Sequence, residues 1–320
     1  MNLHLHASKF LDETNLMESW PGLREFFRTV SEQQHFGWVL CKASFLTLGG
    51  TEEDVVPMVA AYGCLQTSIL LVDDLLDEDP KGMQHKVGVG NTANMALAFH
   101  AAGIEMIIRS SFAADIKIKV INKLNEMMYL VSLGQKMDTE NDVLSEEKYW
   151  EIARMKSSPF SGIALEIGAI TVGADEEMIR KMRRWGEIYG EFMQISDDMK
   201  DVMAVPATDD WAGGRHPLPI LFAEVVDHPK RELFLKLREQ VADEEKLKEA
   251  QQIMVESGAF SYCFEQLFKR VGKSREVLES MDLDDISEFK RLEDQMLHAP
   301  KKILKELGVE NVEDVIVGKA

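Results

Sequence analysis

Ser68-Ile69-Leu70-Leu71-Val72-Asp73-Asp74-Leu75-Leu76-Asp77-Glu78-Asp79 begins as an apolar helical run and ends as an acidic one. Its core, Asp-Asp-x-x-Asp, returns as Asp197-Asp198-Met199-Lys200-Asp201, again behind an apolar run. Asp73 and Asp77 are four residues apart and share one helix face, as do Asp197 and Asp201, with Asp198 beside them. Like charges at that spacing repel by roughly 0.2–0.5 kcal/mol when exposed. A cation bridging them reverses the sign. Either triplet alone also reads as a solvated acidic helix face.

Helical patterning extends outward in both directions. Upstream, residues 21–35 and 36–48 read as two helices, the second nearly all apolar and so buried. Thr51-Glu52-Glu53-Asp54 reads as a helix start, with Thr51 capping and the acids suiting the positive end of the dipole. Downstream, Pro80 and Gly82 close the helix, and a loop runs through Gly88 and Gly90. Further helices are expected over about 93–109, 113–138, 145 to about Val172 through Lys156, and from Ala174 to Asp201. Ser145-Glu146-Glu147-Lys148 supplies a capping signature for one of them. A loop at Val205 to Pro217 follows, then helices near 218–226, 230–240, 243–257, 259–280 and 284–308. Only Val315-Ile316-Val317 hints at an extended segment. No strand-turn-strand signal competes. The expected fold is therefore all-α, one large single-domain bundle over residues 1–320.

Composition narrows the function. Apolar residues make up 45% of the 320, ample for a core, and the net charge is −19. A nucleic-acid partner needs a basic stripe to displace counterions, and none is present. An anionic membrane surface repels such a chain. A metal cation, or a substrate carried in by one, suits it. Cys41, Cys64 and Cys263 lie far apart without CxxC spacing, which reads as buried free thiols in a reducing compartment. The N-terminus lacks a signal-peptide pattern and no apolar stretch reaches spanning length, so a cytoplasmic protein is expected. His4 and His6 near the terminus read as incidental rather than as metal ligands.

Carboxylates paired on two helices make a hard-oxygen site. Mg²⁺ keeps several waters and prefers a few carboxylates plus phosphate oxygens. Two Asp-rich walls across a cleft would hold a diphosphate through Mg²⁺. Over a long apolar pocket, the natural substrate is an allylic diphosphate that ionises to a carbocation.

From about residue 35 to 270 the chain resembles the trans-isoprenyl diphosphate synthases, the polyprenyl synthetase family. Asp73, Asp74 and Asp77 fall on its first Asp-rich motif; Asp197, Asp198 and Asp201 fall on its second, behind Gly190-Glu191-Phe192-Met193-Gln194-Ile195-Ser196. Gly134-Gln135-Lys136-Met137-Asp138 is similar to its Gly-Gln-x-x-Asp element, and Lys156-Ser157-Ser158 to its Lys-Thr or Lys-Ser. Asp210-Trp211-Ala212-Gly213-Gly214-Arg215-His216-Pro217-Leu218-Pro219 is similar to its Asp-Leu-x-x-Gly-Lys-x-Thr-Leu-Pro loop, with Arg215 for Lys. The resemblance implies an isoprenoid-synthase bundle with a central apolar cavity. It implies Mg²⁺ held by the six aspartates, and Lys156 and Arg215 on the allylic diphosphate. Gln194 would sit near the reacting centre, and isopentenyl diphosphate would be the acceptor. A homodimer is expected, with a heteromer as the alternative.

The departures fall on the acceptor side. The family's Gly-Lys-Arg-x-Arg stands against Gly37-Trp38-Val39-Leu40-Cys41-Lys42, where only Lys42 is basic. Trp38 reads first as packing. The family's Arg-Arg-Gly stands against Pro80-Lys81-Gly82, leaving Lys81 or Lys86 as partial substitutes, and its His before the first motif is Gln66. Each missing guanidinium removes a bidentate diphosphate contact that Lys does not reproduce. Two alternatives follow: transfer to another acceptor, such as a peptide or small molecule, and cyclisation of the cation. A non-catalytic partner subunit is a third, against which the intact carboxylates argue. In the family an aromatic five residues before the first motif blocks chain growth. Here that residue is Ser68, flanked by Leu65 and Ile69, which implies a product of geranylgeranyl length or longer.

Overall fold

The computed structural model describes residues 3–32, 36–140 and 145–306, and every regular element among them is a helix. In chain order these are α1 (Leu3–Asp12), α2 (Asn15–Ser19), α3 (Pro21–Glu32), α4 (Phe36–Thr47), α5 (Val56–Leu76), α6 (Gln84–Val87), α7 (Val89–Arg109) and α8 (Ala114–Thr139). They continue as α9 (Glu146–Lys156), α10 (Ser158–Thr171), α11 (Glu176–Asp201), α12 (Asp209–Ala212), α13 (Leu218–Val225), α14 (Arg231–Arg238), α15 (Glu244–Glu256), α16 (Ala259–Ser280) and α17 (Ser287–Glu306). The chain divides into two compact units. The first takes Met1–Ser132, Pro159–Gly186 and Met281–Phe289; the second takes Leu133–Ser158, Glu187–Ser280 and Lys290–Ala320.

The first unit is built around α5, which packs mainly on α7 and also on α1, α3 and α4. This helix is apolar on every side, and every residue from Pro57 to Ser68 is buried. The expectation that no apolar stretch reaches spanning length does not hold for this helix, which by length and composition is able to cross a membrane; 72% of its apolar window is buried inside the protein. An all-round apolar helix of this kind belongs to a core as readily as to a bilayer. Trp38 of α4 is 1% exposed. Its ring lies 5.3 Å from Phe27 and 5.1 Å from His4, so both Trp38 and His4 serve packing.

The second unit centres on Val202, Trp211, Ile220, Phe234, Leu247 and Met254. Trp211 Nε1 donates to Val202 O at 2.9 Å, and Gln251 Nε2 donates to Val202 O and Ala204 O at 3.0 and 3.1 Å. These bonds fix the chain as it leaves α11.

Several expected boundaries move, each for a local reason. Thr51 accepts from the Asp54 N–H at 3.3 Å and so caps only a turn. The helix itself starts at Val56, where Pro57 suits a first turn whose N–H groups lack partners anyway. The loop after the first acidic run ends at Gly88, with φ +85°, and Gly90 lies inside α7. The run expected from 145 to Val172 is two helices broken at Ser157, because Pro159 has no N–H with which to continue α9. Asp175 Oδ1 accepts from the Met178 N–H at 2.8 Å and caps α11. Val315-Ile316-Val317 lies outside the described residues.

Candidate active site

The first Asp-rich stretch is the last turn of α5 and the turn that follows. Asp77 donates its N–H to Asp73 O at 2.8 Å, and Asp79 to Asp74 O at 3.0 Å. Gln84 Nε2 then caps Asp74 O at 2.9 Å and Asp79 O at 3.0 Å, while Glu78 takes the left-handed region at φ +49°. The carboxylates therefore sit at the negative end of the helix dipole, where anions are least welcome. Asp73, Asp74 and Asp77 are half-buried. Burial, with Asp79 and Asp77 close by, raises the Asp74 carboxyl.

The expected acceptor-side residues lie in the same unit. Gln66 is 8% exposed, and its Oε1 has no hydrogen-bond partner among the described residues, so its oxygen is not a satisfied core acceptor. Lys42 stands 3.7 Å from Glu288 and 3.9 Å from Glu52. Lys81 is exposed. Lys86 lines a groove of about 500 Å³ together with Trp20, Phe26, Met83, Asn91 and Met95. On α5, Leu65 is fully buried, and the buried Ser68 donates its Oγ to Ala96 O of α7 at 2.8 Å.

The second unit gathers the remaining expected residues. Gly134 of α8 lets the backbone of α9 approach, since a Cβ there would meet Lys156 N. Gly190 of α11 does the same on the other side, where a Cβ would meet Ser157 O. The Lys156–Ser157 peptide is thus held between two glycines. From this seat Lys156 Nζ reaches Asp138 Oδ2 at 2.7 Å, and Arg215 Nη1 lies 4.0 Å from the same oxygen. Arg215 is carried by a braced loop: Arg238 donates to Arg215 O and to Glu224, and Glu224 also meets His216 Nε2 at 3.3 Å. Desolvation lowers His216 to about 4 and keeps the ring neutral near pH 7.

The second Asp-rich stretch is the last turn of α11, again at a negative helix end. Asp197 is exposed, yet the protein around it strips part of its hydration. That desolvation raises its carboxyl to about 6, against the pull of Lys200 and Lys156. Asp198 is 5% exposed and accepts from Tyr149 OH, Leu218 N and Gln194 Nε2; burial still carries it to about 6. Asp201 is half-buried. Asp210 of α12 is pushed up to about 7, first by desolvation and then by Asp198 and Asp201. Gln194 also accepts from Ser157 Oγ, so both ends of its amide are engaged.

Asp138, Asp210 and Tyr149 are missing from the residues singled out in the sequence. The two aspartates had a signal, because each is the acid of a motif quoted there. Tyr149 had none: only the fold brings it to Asp198, 49 residues away.

Against known proteins, the family profile described as Polyprenyl synthetase matches residues 37–254. A geranylfarnesyl diphosphate synthase of Aeropyrum pernix is 28% identical over 250 residues, covering 72% of this chain and 78% of that protein. A geranylgeranyl pyrophosphate synthetase structure from Geoglobus acetivorans superposes with a TM-score of 0.76 at 20% identity, over 97% of this chain and 95% of that one. A decaprenyl diphosphate synthase structure from Rhodobacter capsulatus does so with 0.79 at 17% identity, over 94% and 95%. These two structures share the all-α fold.

Proposed function

Because the chain belongs to the polyprenyl synthetase family, a family of Mg²⁺-dependent enzymes, we propose how its own residues serve that chemistry. The protein is a trans-prenyltransferase that condenses an allylic prenyl diphosphate with isopentenyl diphosphate. The observation that best supports a diphosphate site is the set in the second unit: Lys156 and Arg215 beside Asp138, with Asp197 and Asp210 raised to about 6 and 7. Two cations stand ready for phosphate oxygens, next to carboxylates whose charge is incompletely compensated.

These donors fit a hard divalent ion. They are all oxygen, the two Asp-rich stretches and Asp138 lie at negative helix ends while Asp210 lies in the first turn of α12, and burial and mutual repulsion raise several of them. Among the described residues no three His, Cys, Asp or Glu side chains converge tightly enough to hold a metal unaided. Mg²⁺ takes one or two carboxylates per ion and fills its shell with water and substrate phosphate, so the aspartates would hold it together with the diphosphate. Asp73, Asp74, Asp77, Asp197 and Asp201 are the proposed ligands, with Asp210 added to them. Asp198 is left out, because protein donors already occupy both its oxygens. When bound, the ion supplies neutralisation of the charge that develops on departing pyrophosphate. Lys156 and Arg215 bind and orient the allylic diphosphate; Gln194 faces the reacting centre; Lys42, Gln66 and Lys81 serve the acceptor. The small Ser68 favours a product of geranylgeranyl length or longer. The chain is proposed to act as one functional domain, as a homodimer and in the cytoplasm; its buried free cysteines fit the last.

Incubation with Mg²⁺, farnesyl diphosphate and isopentenyl diphosphate is expected to give a longer prenyl diphosphate. Asp73→Ala is expected to abolish turnover. Retained activity in that variant removes the metal assignment, and a product that stops at geranyl length removes the chain-length reading. Pyrophosphate release from the allylic substrate without chain growth would point to another acceptor or to cyclisation.

A further inference from the structure

Three segments of the second unit meet on one carboxylate. Asp198 Oδ2 accepts from the Tyr149 hydroxyl of α9 at 2.7 Å and from the N–H of Leu218, the first residue of α13, at 2.9 Å. Its Oδ1 accepts from Gln194 Nε2 at 2.8 Å. A carboxylate offers about four lone-pair sites, and three are taken here by protein donors. Helix geometry accounts for the difference from its neighbours. Asp197 and Asp201 stand about 40° apart around α11, while Asp198 is turned about 100° from Asp197. Asp197 meets solvent and Asp198 points into the unit.

Asp198 decides which way the Gln194 amide faces. It takes the amide nitrogen, and Ser157 Oγ donates to the amide oxygen. Ser157 follows Lys156 directly, so the same chain of bonds reaches the end of α9. Tyr149 is also wedged by packing. Its ring meets Trp150 edge-on at 4.8 Å, and Arg270 lies over Trp150 at 3.8 Å while pairing with Glu191 of α11 at 3.0 Å. α9 is therefore clamped to α11 at a second point that does not involve the Tyr149 hydroxyl.

We propose that Tyr149 is a positioning residue for prenyl transfer: through Asp198 it fixes the Gln194 amide and, with Ser157, the end of α9 that carries Lys156. This rests on the reading of Gln194 and Lys156 as substrate-handling groups. It also makes Asp198 an internal anchor rather than a metal ligand.

Tyr149→Phe deletes one oxygen and keeps the ring, so the second clamp still holds the fold. We expect kcat to fall about tenfold or more, the usual scale for an outer partner of a functional group. kcat/KM for the allylic diphosphate should fall at least as far as kcat, because Lys156, which binds that substrate, stands at the far end of the same chain of bonds. Tyr149→Phe added to Gln194→Leu should slow the enzyme no further than Gln194→Leu alone, because residues acting in series are non-additive. Unchanged kcat in Tyr149→Phe, or losses that multiply in the double variant, overturns the proposal. Calorimetric titration of Mn²⁺ with inorganic pyrophosphate separates it from the parent reading. Asp198→Asn should leave that affinity within about twofold, while Asp197→Asn weakens it about tenfold or more. Equal weakening in both variants makes Asp198 a ligand and overturns its part as anchor. No weakening in either removes the cation reading of this segment, and the kinetic coupling still decides the role of Tyr149.

Discussion

Lys156 meets the site with a partner already in place. Asp138 holds its ammonium at 2.7 Å, and the Lys156–Ser157 backbone is fixed between Gly134 and Gly190. An incoming diphosphate therefore finds the cation oriented rather than searching for it. Lys42 differs: its charge is shared with Glu288 and Glu52 at 3.7 and 3.9 Å, distances too long for good hydrogen bonds. Losing a hydrogen bond to a charged group costs roughly 1.5–3 kcal/mol. Lys156→Met is accordingly expected to lower kcat/KM for the allylic diphosphate by about 10–100-fold. Lys42→Met should raise KM for isopentenyl diphosphate only several-fold and leave the allylic KM alone. Steady-state kinetics with each substrate varied in turn checks both, and equal effects on the two substrates would contradict the assignment.

At the scale of elements, two helices decide where the acids stand. Both α5 and α11 spend their last turn on an Asp-rich stretch, where the dipole opposes the charge. The close approaches of α8 and α11 to the break between α9 and α10 depend on missing side chains. Gly134→Ala gains up to about 1 kcal/mol of helix propensity. It then forces a methyl against the Lys156 backbone, an overpacking worth roughly 1–3 kcal/mol. The net expectation is a lower thermal midpoint together with lower kcat, measured by circular dichroism and by product formation. A stabilised variant would show that the backbones can separate freely. Much of this was legible in the sequence. The repeated Asp-Asp-x-x-Asp behind apolar runs marks both helices, and the Gly-Gln-x-x-Asp element marks Gly134 and Asp138. The break at Ser157 was overlooked, although Pro159 announces it. The Tyr149–Asp198 bond was not legible, because no local period links positions 49 residues apart.

For the molecule as a whole, net charge −19 means that most carboxylates must tolerate one another. Several of them, Asp74 included, do so at a cost. Asp197, Asp198 and Asp210 titrate near 6, 6 and 7 in the folded chain, above their ordinary value, chiefly through desolvation. A raised folded-state carboxyl favours folding fully below its unfolded pKa and loses that contribution as pH climbs through the folded value. Stability of the metal-free protein is thus expected to rise as pH falls from about 7 toward about 5. His216, lowered to about 4 by desolvation, opposes this, since burying it neutral costs more below its ordinary value. With the raised carboxyls, Asp74 among them, against the two lowered imidazoles of His216 and His4, the thermal midpoint should gain on the order of a few degrees between pH 7.5 and 5.5. Scanning fluorimetry in chelator tests it, and a falling midpoint over that range would refute the reading. The buried apolar helix α5 carries a separate consequence, one of timing. During synthesis it is complete before α7, its main packing partner, has been made. At roughly 5–20 residues per second, the stretch from Asp77 to Arg109 takes about 2–7 s to emerge. For that interval the nascent chain displays a greasy segment of bilayer length, so its safe passage depends on how soon α7 arrives and on which chaperone reaches it first.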